Sequence, residues 1–107
     1  MVDLPDSFVR AVREARFHDA ATDGELHSRW TEKKDNVARA LLILAAAHHH
    51  VQQGNAEGAR IKAGRAVQYL EREPLDPFAA VLIEHARGLL AALAARRKAP
   101  ELPLGFR

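Results

Sequence analysis

Residues 40–47 read Ala40-Leu41-Leu42-Ile43-Leu44-Ala45-Ala46-Ala47 and decide the fold. A helix through this octet has no polar face to turn to water, so it belongs at the centre of a bundle. The spacing predicts that helix over residues 36–53, with Asp35 or Asn36 as cap and Gly54 as stop. Asn55 then caps a fourth helix over residues 56–72, with Ala59, Ala63, Ala66, Val67 and Leu70 on one face. Pro74 ends it, and Asp76-Pro77 opens a fifth helix over residues 77–97 with Phe78, Leu82, Leu89 and Leu93 as its stripe. Upstream, Asp6-Ser7 signals a first helix carrying Phe8, Val12 and Ala15, whose pattern breaks near Phe17-His18. A second helical stretch runs to Trp30, with Leu26 and Trp30 one turn apart, and residues 31–36 read as a connection.

The chain has 107 residues, 48% apolar and 28% charged, which bounds it to one domain with one core. Alanine is abundant, aromatics make up 6%, and cysteine is absent. Disulfides and thiolate metal sites are therefore excluded, and helix is favoured over sheet. The expected architecture is all-α, a single-domain antiparallel bundle of about five helices around a buried central one. It occupies residues 1–97. Residues 98–107 form a tail whose Leu102, Leu104 and Phe106 pack back on the bundle or dock on a second subunit.

Sixteen Lys and Arg against fourteen Asp and Glu leave a net charge of +2, too little to imply nucleic acid. Arg10, Arg13 and Arg16 form one basic ridge and Arg96, Arg97 and Lys98 another, both read as solvated faces. The longest unbroken apolar run is far short of the ~20 residues that span a bilayer, so no membrane association is expected. The N-terminal MVDLPDSF lacks a basic segment followed by an apolar one, and a cytoplasmic setting is expected.

The stretch Leu41-Leu42-Ile43-Leu44-Ala45-Ala46-Ala47-His48-His49, followed by Gly54-Asn55 and Gly58-Ala59, together with an upstream helix ending in Trp30, resembles domain-of-unknown-function family 309. Those are small prokaryotic all-helical proteins, and the resemblance covers about residues 8–72. It implies the fold, makes Trp30 a core anchor, and brings no reaction. The family's helix pattern A-H-E-x-x-E-x-x-W is altered here: Asp23 stands at its histidine, Gly24 at the adjacent glutamate and His27 at the second glutamate. The resemblance thus implies a polar pair on the inner face of helix 2 opposite His49.

The residues themselves place Asp19, Asp23 and His27 at i, i+4 and i+8 along one side of a helix. A carboxylate and an imidazole one turn apart can share a ligand or pair with each other. Asp23, His27 and His49 are accordingly the candidate polar cluster, with a divalent metal or acid–base role as the sharp reading. A buried pair fixing helix register is the plain and preferred one. In the run His48-His49-His50 consecutive side chains diverge by about 100°, so one is expected inward and two at the surface. His85, among Leu82, Ala86 and Leu89, reads as a core or edge residue.

No nucleophile–base signature, phosphate loop or cofactor motif occurs, and no cofactor is expected. Gly54, Ala59 and Ala66 echo a tetratricopeptide hairpin, but one copy cannot form an array. The expected function is a non-catalytic association or binding module, with a homodimer as candidate assembly. The alternative is a small metal-binding or hydrolase-like protein using Asp23, His27 and His49.

Overall fold

Helices form where the apolar period predicts. The computed structural model describes residues 6–26, 36–98 and 100–103, and of residues 22–26 the backbone alone. Among the described residues five helices follow one another: α1 (Asp6–Arg13), α2 (Phe17–Leu26), α3 (Asn36–Gln52), α4 (Ala56–Leu70) and α5 (Pro77–Ala94). No strand occurs among the described residues. The protein is an all-α bundle.

α3 is the hub. It packs against α2, α4 and α5, while α1 lies on α2 and α4 on α5. Ala40, Leu41, Leu44, Ala45 and Ala47 are buried, and Leu42, Ile43 and Ala46 are half-buried, so no member of the octet is fully exposed. Phe8, Leu41, Leu44, Leu70 and Leu82 are fully buried in one main cluster. Each such side chain contributes about 1.5–3 kcal/mol of burial. A smaller cluster of Ala47, Ala63 and Leu89 closes the other end of the α3–α4–α5 contact. The Asn36 amide donates to Glu73 Oε1 at 2.9 Å and ties the start of α3 to the end of α4.

The caps explain the glycine pattern. Gly54 sits at φ +73°, and the Gly54 and Asn55 N–H groups close back on the Val51 and His50 carbonyls. This is a Schellman stop, which favours glycine at its left-handed residue. The Asn55 side chain accepts from the Gly58 N–H at 2.9 Å and starts α4. Asp76 accepts from the Phe78 and Ala79 N–H groups, with Pro77 at the first helical position.

The helix over 36–53 ends one residue early and that over 56–72 two residues early, and two other stops depart further from the expectation. α1 ends at Arg13 and α5 at Ala94, each in a Schellman stop whose left-handed residue is not glycine: Ala15 at φ 58° and Arg96 at φ 56°. Arg16 N–H bonds the Ala11 carbonyl, and Arg97 N–H bonds the Ala92 carbonyl, both at 2.8 Å. An L residue in this region costs about 1–2 kcal/mol, and at Ala15 a tertiary contact, the Gln52 side chain on the Ala15 carbonyl, holds the turn. The expected run of α5 to Arg97 is thus cut short by a backbone reversal that no residue-type signal marks.

α5 alone among the described residues is long and apolar enough, by length and composition, to cross a membrane. In the bundle it buries Phe78, Ala79, Leu82, His85, Ala86 and Leu89 and turns Glu84 and Arg87 outward. In the tail, Leu102 is buried in the main core cluster of its own chain, and Pro100 lies against Gly88. Leu104 and Phe106 lie outside the described residues, as do His27 and Trp30.

Candidate functional site

The octet's helical phase carries straight into the histidines that follow it. Because Leu44, Ala45 and Ala47 face the core, His48 is carried inward on the same side, while His49 and His50 rotate off it. His85 sits between Leu82 and Ala86 and is turned inward by the same logic in α5. The two meet: His48 Nε2 and His85 Nε2 are 2.8 Å apart, with 4% and 7% of their surfaces exposed.

Their ring planes are 20° from parallel with centroids 5.0 Å apart. That separation is the nitrogen–nitrogen distance plus two ring radii. The rings therefore lie edge to edge with their nitrogens head on, rather than face to face. One imidazole must carry its proton on Nε2 and the other on Nδ1, so that one donates and the other accepts. Phe17, from the start of α2, stacks on His48 with centroids 4.7 Å apart. Burial pushes the pKa of His48 down to about 4, with the neighbouring His85 adding to the effect. Burial likewise lowers His85 to about 4. Both rings are neutral at pH 7, because burial penalises a charged imidazole.

His48 also forms part of the wall of a cavity of about 620 Å³ between the α1–α2 turn, the C-terminal end of α3 and the tail. Val12, Ala15, Phe17, Val51, Pro100 and Leu102 supply its apolar lining, and Arg13, Gln52, Lys98 and Glu101 its polar lining. The Gln52 amide donates to the Ala15 carbonyl at 2.6 Å, fixing the left-handed turn at the end of α1 against α3. Pockets of roughly 300–1,000 Å³ with mostly apolar walls and a few polar groups are the usual form of small-ligand sites.

The residues singled out from sequence divide as follows. His49 is half-buried and faces α2, but its neighbour there is His18, with ring centroids 4.9 Å apart. The Asp23 side chain and His27 lie outside the described residues. Asp19 is exposed and paired with Arg16 at 3.2 Å. Among the described residues no three His, Cys, Asp or Glu side chains converge on a metal-sized point. One histidine of the run, His48, is inward, while His49 and His50 are half-buried. His50 Nδ1 lies 3.3 Å from the Asn55 amide nitrogen, which donates to it. The partnership of His48 with His85 was not legible from spacing, because it joins two helices whose relative rotation is set by packing. The only signal was a polar residue on the apolar side of each helix. Comparison of the chain with protein-family models, with curated proteins and with solved structures yields no match.

Proposed function

We propose that the protein is a non-catalytic binding module whose receiving element is the cavity beside His48. The observation that carries this reading is the cavity itself. It is walled by apolar side chains from three separate segments, and it meets a buried imidazole pair that is neutral at pH 7. A catalytic base would need a partner and an open face, and the His48 Nε2 is committed to His85. The resemblance to family 309 would bring a prokaryotic setting and adds no reaction.

A second reading, association into a homodimer, is favoured by large apolar side chains left in water: Leu75 at 95% exposure, Ile61 at 52% and Val81 at 47%. The burial of Leu102 within its own chain removes one of the surfaces that association would use.

Amide chemical-shift mapping of the full chain separates these readings. Titration with a mixture of small amphiphiles should move resonances of Val12, Phe17, Val51 and Leu102. Concentration-dependent shifts at Ile61, Leu75 and Val81, with none at the cavity, would replace binding by self-association. Perturbation of Asp23, His27 and His49 by zinc or manganese would transfer the function to the metal alternative.

A further inference from the structure

The two basic ridges of the sequence, far apart along the chain, arrive at one place. Arg13 from the first and Lys98 from the second both line the cavity beside His48. Arg16, the remaining member near the α1–α2 turn, is already held by Glu14 and Asp19. Among the described lining residues Glu101 is the one carboxylate, so these residues carry a surplus of one positive charge, with exposed Arg96 and Arg97 just before Lys98. Arg13, Lys98 and Glu101 are all exposed, whereas His48, Val12 and Leu102 are buried. Charge therefore sits at the mouth and apolar surface lies within.

Both non-glycine left-handed residues adjoin this site. Ala15 lines the cavity, and Arg96 makes the reversal that leads the chain to Lys98. Strained backbone of this kind persists where surrounding contacts over-determine it, and ligand sites are a common setting. Each strained turn ends a helix so that a cation is delivered near the mouth: Arg13 is the last residue of α1, and Lys98 follows α5.

Resting on the binding-module reading, we infer that the cavity takes a small amphipathic monocarboxylate. Its apolar body lies against Phe17, Val51 and Leu102, and its carboxylate lies between Arg13 and Lys98. A body of roughly eight to twelve carbons is in scale with a cavity of this size. Neutral His48 leaves the inner wall without charge, so the ligand's head is directed outward. Arginine and lysine at an exposed rim bind a carboxylate through charge-assisted hydrogen bonds.

Isothermal titration calorimetry of the full chain at pH 7.5 with decanoate, decanol and acetate tests this. Decanoate is expected to bind at least tenfold more tightly than decanol, and acetate not measurably. The double variant Arg13→Gln/Lys98→Gln should weaken decanoate about tenfold and leave decanol unchanged, with an unaltered unfolding midpoint showing that the fold is intact. Equal affinity for decanoate and decanol would overturn the anionic class while keeping an apolar binding cavity. Acetate binding as tightly as decanoate would overturn the amphipathic class. Attachment to phosphatidylglycerol vesicles without decanoate binding would overturn the assignment to a dissolved ligand. Absence of binding by all three compounds and by vesicles would overturn both this inference and the binding-module reading.

Discussion

Among the described residues five histidines gather around the C-terminal half of α3, and they fall into two groups with opposite environments. His48 and His85 are buried and joined head to head at 2.8 Å. His18, His49 and His50 lie on the outside, with ring centroids 4.9 and 6.1 Å apart along the row. The inner pair has lost water and replaced it with one hydrogen bond, so its proton count is tied to folding. The outer row keeps access to water, and its contacts are of the weak, screened kind that surface polar groups make. Adjacent positions on one helix, His48 and His49, thus differ in energetic role because a rotation of about 100° separates them.

Acid should break this contrast most visibly. An unfolded histidine titrates near 6.5, while His48 and His85 are held at about 4. As pH falls, the unfolded chain takes up protons first. The stability from this pair is therefore full above pH 6.5, is lost between 6.5 and 4, and levels off below. The expected loss is on the order of 3 kcal/mol for each histidine of the pair. Urea unfolding at several pH values, compared with His48→Leu/His85→Leu, reads it. A curve for the double variant as steep as that of the parent would remove the pair as the cause.

Next in size is the removal of one partner. His48→Ala leaves a buried imidazole nitrogen on His85 unpaired and a void beside Phe17, and should cost about 3 kcal/mol at pH 7.5. The double leucine variant should recover most of that, since it leaves no orphaned polar group. A single and a double variant of equal stability would show that the hydrogen bond is unimportant.

A smaller effect belongs to the outer row at His50. An added Cβ at Gly58 would lie 2.6 Å from Asn55 Nδ2 and 2.9 Å from His50 Nδ1. Gly58→Ala should therefore disturb the Asn55 cap and lower stability by about 1 kcal/mol. Thermal unfolding checks this, and an unchanged midpoint would mean that the cap relaxes freely. The smallest effect is expected from His49→Ala, within about 0.5 kcal/mol at pH 7.5. A loss approaching that of His48→Ala would erase the division between the two groups.

The same contrast marks what spacing could reveal. The Ala40–Ala47 octet named the central helix without ambiguity, because no rotation of it offers water a polar face. Asn55, Asp76 and Gly54 announced their turns because their side chains, or the lack of one, do the capping. Ala15 and Arg96 announced nothing, since their left-handed backbone is imposed by packing rather than chosen by residue type. Periodicity places Asp23 and His27 on one side of a single helix and His49 on the next, and it does not register which residues of two packed helices meet, as His48 and His85 do.

Sequence alone determined that the chain is helical, that Gly54 stops α3 while Asn55 and Asp76 open α4 and α5, and that α3 is the hub. These properties follow from local backbone preference and from how apolar residues recur along one helix. Only the tertiary structure decided that His48 meets His85, that Leu102 enters the core, and that Arg13 and Lys98 share one cavity. Those depend on the rotation and offset of whole helices against each other, which many weak packing contacts fix jointly and no short stretch of sequence encodes.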